Sequence, residues 1–190
     1  MFSGLSFSAP PGTWVQVTGP NGSGKTSLLR IISGLLEPAE GDVRWKGEKI
    51  RALGEEYFAD LTYLGHRPGV KDDLTAIENL RCSCGLTGVD ISAEAAEQVL
   101  QHVGLDGREQ LPARLLSEGQ RRRLALARLG VVRTTLWVLD EILTSLDQAA
   151  VALVQSLITQ HLENGGIAIV ATHQNLDLSA GSFQRIQLAL

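Results

Sequence analysis

A chain of 190 residues, 44% hydrophobic and 20% charged, has the composition of a folded soluble domain and not of a disordered segment. Its formal charge of −4 provides no broad basic field for nucleic acid, so no nucleic-acid partner is expected. No stretch approaches the roughly 20 apolar residues of a membrane span, because Arg133, Asp140 and Glu141 interrupt the best one, and no basic leader precedes Lys25, the first charge. A cytosolic protein is expected, or one that reaches a membrane through a partner.

Thr13 to Thr18 (TWVQVT) alternates and is rich in β-formers, which predicts a strand. A glycine-rich loop follows, and then SLLRIISGLL places Leu28, Ile32, Leu35 and Leu36 at helical spacing until Pro38 stops the helix. Short strands are predicted at Asp42 to Trp45 and at Leu61 to Gly65. From Asp72 to about Leu129 the pattern is helical, with a break from Gly85 to Asp90 and a helix from Ala93 to Val103 that Ser92 caps and Gly104 ends.

Cys82 and Cys84 lie in that block, too close for an ordinary disulfide and too few for a zinc site; reduced thiols are expected. Arg121, Arg122 and Arg123 read as the solvated side of a helix, their stems covering apolar surface. Leu136 to Leu139 (LWVL) and Ile167 to Ala171 (IAIVA) are continuous apolar runs, as strands buried on both faces of a parallel sheet would be, with a helix between them from Ala149 to Leu162. The alternation predicts an α/β fold, with helices on both faces of the sheet. The expected organisation is one domain over 1–190, its core formed by 1–70 and 130–190 and a helical subdomain inserted at about 71–129.

The loop from Gly19 to Thr26 (GPNGSGKT) matches every fixed position of the phosphate-loop pattern and sits between strand and helix, as that motif requires. Gly19, Pro20, Asn21, Gly22, Ser23 and Gly24 would turn backbone N–H groups around a nucleoside triphosphate, and the helix N-terminus adds its positive end. Lys25 would reach the β- and γ-phosphates, and Thr26 would offer a hydroxyl to Mg²⁺. Asp140, at the carboxyl end of a buried strand, is the second Mg²⁺ candidate. Its neighbour Glu141 is placed to orient and deprotonate a water.

LSEGQ at Leu116 to Gln120, running into RRRLALARL, resembles the signature motif of ATP-binding cassette (ABC) ATPases. TSLD at Thr144 to Asp147 resembles their D-loop, and Thr172-His173 their switch histidine. The order of these motifs covers nearly the whole chain. The resemblance implies a P-loop NTPase fold and ATP hydrolysis coupled to transport, with Glu141 and His173 catalytic and Lys25 on the nucleotide. It further implies an ATP-sandwich dimer, in which Ser117, Gly119, Gln120 and Asp147 of one copy meet the nucleotide held by a second copy.

FSGLSF, YLGHRPGVKDDLTAIENL, ALARLGVVRTTLWVLDE and GGIAIVATHQ resemble, within that family, the ATP-binding subunits of the haem exporter of cytochrome c maturation. This likeness implies polytopic membrane partners of the cytochrome c maturation B and C types, and a place at the cytoplasmic face of the inner membrane, held there through those partners. The runner-up readings are an ABC ATPase of another importer or exporter, a soluble ABC protein of translation or DNA repair, and a weakly hydrolysing regulatory cassette.

Three positions and one expected element depart from the family pattern. Arg67 stands where the Q-loop glutamine is expected, and a guanidinium has donors only and cannot ligate Mg²⁺. Ile142 replaces the usual proline after the catalytic glutamate, and Glu118 the usual small residue of the signature. The strand whose aromatic residue stacks on adenine in the family is expected to be missing ahead of the phosphate loop.

Overall fold

A computed structural model describes residues 2–174 and 176–189. The chain forms two compact units, the first comprising 1–63, 134–142 and 158–190 and the second 64–133 and 143–157.

The first unit is built on β1 (Thr13–Thr18), whose residues from Thr13 to Val17 are all buried. A phosphate loop leads into α1 (Lys25–Ile32). The helix stops six residues short of Pro38: Gly34 takes a left-handed φ of 70°, and the Leu35 N–H returns to the Arg30 carbonyl. That is a glycine stop at the C-terminus, and it leaves Leu35 and Leu36 exposed. The strand expected from Asp42 shortens to β2 (Arg44–Trp45), which turns back through Lys46 and Gly47, at φ 51° and 90°, onto β3 (Glu48–Lys49). Positive φ at both turn residues is the geometry of a tight hairpin. Two short helices follow, α2 (Ile50–Leu53) and α3 (Glu55–Ala59), and then β4 (Leu61–Leu64).

In the second unit α4 (Ala76–Gly85) opens with a capping box between Thr75 and Glu78. Ser92 caps α5 (Ala93–His102), its hydroxyl accepting from the Ala95 N–H as the sequence predicts. Ser117 opens α6 (Glu118–Ala127). Leu80, Cys84, Leu100, Leu105 and Leu124 form the core of this unit. Cys82 and Cys84 are free thiols, the first exposed and the second buried.

The three arginines are not a solvated face. Successive helical residues point about 100° apart, so each arginine meets different acceptors: Arg121 the Asp72 carboxylate at 2.6 Å, Arg122 the Gly65 and His66 carbonyls at 3.2 and 2.7 Å, and Arg123 the Val103 carbonyl at 3.0 Å. Arg122 is 5% exposed.

The remaining elements are β5 (Leu136–Asp140), α7 (Gln148–Glu163), β6 (Ile167–Ala171) and β7 (Ser182–Gln187). The sheet has the order β4-β5-β6-β1-β7, with β5 on β6, β6 on β1 and β1 on β7 all parallel. Every residue of β5 and β6 is buried, which is why both read as unbroken apolar runs. β7, an edge strand, was absent from the sequence prediction. The core of this unit gathers Val15, Val17, Leu29, Tyr57, Val138 and Ile169.

Candidate nucleotide site

The loop between β1 and α1 is shaped by its glycines. Gly19 has φ 152°, and a Cβ there would lie 2.6 Å from both the Leu188 carbonyl oxygen and Ser23 Oγ, so no larger residue fits. Gly24, at φ 97°, precedes α1 without any side-chain cap. The first N–H groups of that helix are therefore left for an anion. Lys25 is 8% exposed, and its Nζ donates to the Gly19 carbonyl at 2.8 Å and the Pro20 carbonyl at 3.2 Å. The loop's own dipoles thus hold the ammonium at the place where phosphate oxygens would compete for it. Ser23 is buried and its hydroxyl has no hydrogen-bond partner among the described residues. Thr26 is half-buried in the first turn of α1.

Asp140 ends β5, the strand against which α1 packs. It is fully buried, and neither carboxylate oxygen has a hydrogen-bond partner among the described residues. Buried charges are ordinarily paired or bound to a cation, which makes this carboxylate a candidate cation ligand. Among the described residues no group of three or more His, Cys, Asp or Glu could hold an ion. The Asp140 carboxylate and the Thr26 hydroxyl are instead candidate ligands for Mg²⁺, an ion that usually keeps waters and takes phosphate oxygens beside one or two protein groups. Asp140 also acts on Tyr63, whose hydroxyl is pushed up first by burial and then by this carboxylate, against a lowering hydrogen bond from Arg30. Sequence reasoning missed Tyr63, which lies far from Asp140 along the chain.

Glu141 follows with a left-handed backbone, φ 54°, uncommon for a residue with a Cβ outside turns and enriched at functional sites. Its N–H donates to the Ala171 carbonyl at 2.9 Å, so the β5–β6 ladder continues one residue past Asp140. Glu141 Oε1 lies 3.5 Å from His173 Nε2; the two side chains are 25% and 52% exposed. Ile142 is buried in place of the usual proline.

The other candidates lie in the second unit. Ser117 Oγ accepts from the Gln120 N–H at 3.2 Å, and Gln120 Oε1 accepts from the Ser117 N–H at 3.0 Å, a capping box that opens α6. Asp147 accepts from the Ala150 N–H at 2.8 Å, and Arg123 Nη2 donates to its two oxygens at 2.6 and 2.7 Å. The Ala150 bond and then the Arg123 bond hold this carboxyl below its ordinary value. Arg67 is exposed in a bend after β4. The first unit therefore carries Gly19 to Thr26, Asp140, Glu141 and His173, and the second carries Ser117, Gly119, Gln120 and Asp147.

Residues 2–144 match the family model described as ABC transporter. The cytochrome c biogenesis ATP-binding export protein CcmA of Nitrosospira multiformis is 58% identical over 188 residues, which cover 99% of this chain and 91% of that protein. Its counterpart in Nitrosomonas europaea is 54% identical over 189 residues, 100% of this chain and 89% of that one. Among solved structures, the dimeric post-hydrolysis state of an ATP-binding cassette bound to ADP and Pi superposes with a TM-score of 0.76 at 25% identity, covering 88% of this chain and 78% of that one.

Proposed function

The chain belongs to the ABC transporter family, and from that premise we propose that it is the ATP-hydrolysing subunit that powers haem export for cytochrome c biogenesis. The observation that carries the nucleotide chemistry is the buried Asp140 carboxylate, without a hydrogen-bond partner among the described residues, next to a Glu141 held in a left-handed backbone.

The loop from Gly19 to Thr26 wraps the β-phosphate of ATP, and Lys25 exchanges its two carbonyl partners for β- and γ-phosphate oxygens. Thr26 and Asp140 would hold Mg²⁺, which neutralises charge on the phosphate oxygens when bound. Glu141 takes the proton of the water that attacks the γ-phosphorus, giving ADP and phosphate. His173 orients Glu141 and the γ-phosphate from its side of the pair. Ser117, Gly119, Gln120 and Asp147 belong to the nucleotide bound by a second copy, so two chains close on two ATP molecules. The N-terminus of α6 then points its positive end at the γ-phosphate.

Among the described residues no helix is long and apolar enough to cross a membrane. Coupling to transport therefore runs through polytopic partners of the cytochrome c maturation B and C types, with this chain on the cytoplasmic face of the inner membrane. The test is Glu141→Gln with ATP. The expected result is a stable ATP-bound dimer by light scattering with hydrolysis lost, together with co-purification of a polytopic partner from membranes. Hydrolysis at the wild-type rate would remove Glu141 from the base role, and a chain that never leaves the soluble fraction in cells making c-type cytochromes would overturn the transport reading.

A second reading, a cassette that binds ATP but turns it over slowly, is favoured by Arg67 in place of the glutamine. Arg67→Gln should raise kcat several-fold if the arginine limits turnover; an unchanged kcat counts against this second reading.

A further inference from the structure

Two polar contacts join α6 to the loop of Thr144 to Asp147, one from its first residue and one from its middle. Arg123 grips both Asp147 oxygens. Ser145 Oγ donates to Oε1 of Glu118, the first residue of α6, at 3.2 Å. Beside that bond the backbones come close together, since a Cβ on Gly119 would sit 2.9 Å from the Ser145 carbonyl oxygen.

Ser145 itself has φ 64°, a left-handed conformation that a residue with a side chain keeps only when its surroundings hold it there. The Arg123 pair fixes Asp147 but leaves Ser145, two residues earlier, to be held by another contact. Glu118 supplies it. As the first residue of α6, its carboxylate is stabilised by the positive end of that helix. The departure from a small residue at position 118 thereby acquires a role.

We propose that Glu118 is a positioning residue for hydrolysis: its carboxylate latches Ser145, so that the signature segment 116–120 and the loop 144–147 keep one pose. The proposal rests on the ABC ATPase reading for its effect on turnover, because both segments are assigned there to the nucleotide of a second copy. The latch itself is a hydrogen bond within the second unit and needs no nucleotide.

The experiment compares Glu118→Ala, Ser145→Ala, the double variant and Glu118→Gln, the last of which keeps an acceptor oxygen. Amide hydrogen exchange over 144–147, read on the whole chain without nucleotide, should speed up by about two- to tenfold in each alanine variant. It should rise no further in the double variant and stay near the wild-type rate in Glu118→Gln. In the ATPase assay kcat should fall by a common factor in the alanine variants and recover in Glu118→Gln, with KM moving less. Unchanged exchange in Glu118→Ala, additive effects in the double variant, or a Glu118→Gln as fast as Glu118→Ala would each overturn the latch. A wild-type chain without hydrolysis would count against the ATPase reading, and the exchange result would still decide the latch.

Discussion

His173 Nε2 stands 3.5 Å from Glu141 Oε1, although the two residues follow different strands. The contact exists because β5 and β6 are neighbours in parallel register, with Asp140 opposite Ala171, and the Glu141 N–H adds one further rung to that ladder. The left-handed turn at Glu141 then redirects the chain, so the carboxylate emerges at the end of the sheet, where open parallel sheets bind their ligands. If His173 orients Glu141, His173→Ala should lower kcat by about 10²-fold, within the range of general-base contributions. ATP affinity should change only a few-fold. Steady-state kinetics decides: a higher KM at unchanged kcat would make His173 a binding group instead.

Asp140 makes a prediction with two opposite signs. Among the described residues its carboxylate is buried without a hydrogen-bond partner, so Asp140→Asn removes a buried charge that no hydrogen bond offsets and should raise the unfolding free energy of the nucleotide-free chain by about 1–3 kcal/mol. The same variant should lose the stabilisation that Mg²⁺ and ATP together give the wild type, which grows with ligand concentration over Kd. Chemical denaturation with and without Mg-ATP measures both. A variant that is less stable alone and still stabilised by Mg-ATP would place the cation elsewhere.

Arg122 and Arg121 are adjacent but should differ in what their removal costs. Arg122 is buried and donates to the Gly65 and His66 carbonyls, so Arg122→Ala leaves two acceptors short of donors and opens space. A loss of about 2–4 kcal/mol is expected from unpaired buried groups and lost packing. Arg121 pairs with Asp72, whose side chain is 60% exposed, and its alanine variant should cost about 1 kcal/mol or less. Urea unfolding of the two variants tests the contrast, and equal losses would contradict the buried placement of Arg122.

The parts of the chain legible in the sequence are those in which local pattern and burial agree. β1, β5 and β6 are buried throughout or nearly so, and each reads as an apolar or β-rich run. Ser92 and Gly104 announce the ends of α5 because capping and left-handed stops are local chemistry. β7 is hidden because SFQRIQ is an edge strand with one buried residue, Ile186, among polar residues and an exposed Phe183; only pairing with β1 makes it a strand. The hairpin at Lys46-Gly47 hides in the same way, since lysine gives no sign of a positive φ. In the site, the phosphate loop and the pair Asp140-Glu141 are contiguous and could be read directly. The electrostatic effect of Asp140 on Tyr63, and the Ser145 bond to Glu118, join residues distant in sequence, and no local pattern announces them.

His161 should make stability depend on pH below neutrality. Its ring stacks on Trp137 at 3.9 Å between centroids and 6° between planes, and its Nε2 lies 3.2 Å from the Ile167 carbonyl, to which it can only donate. Burial pushes its pKa down from 6.5, and the bonds to the Ile167 and Thr135 carbonyls offset only part of that. Because the folded value lies below the unfolded one, the unfolded chain binds the extra proton. The neutral ring's contribution is therefore complete above about pH 6.5 and is lost as pH falls toward the folded value. The wild-type melting temperature should decline from about pH 6.5 downward, ahead of the carboxylate range. His161→Phe keeps the stack on Trp137 but cannot take a proton, so its melting temperature should stay flatter across that window. Parallel curves for the two proteins would show that the acid-sensitive group lies elsewhere.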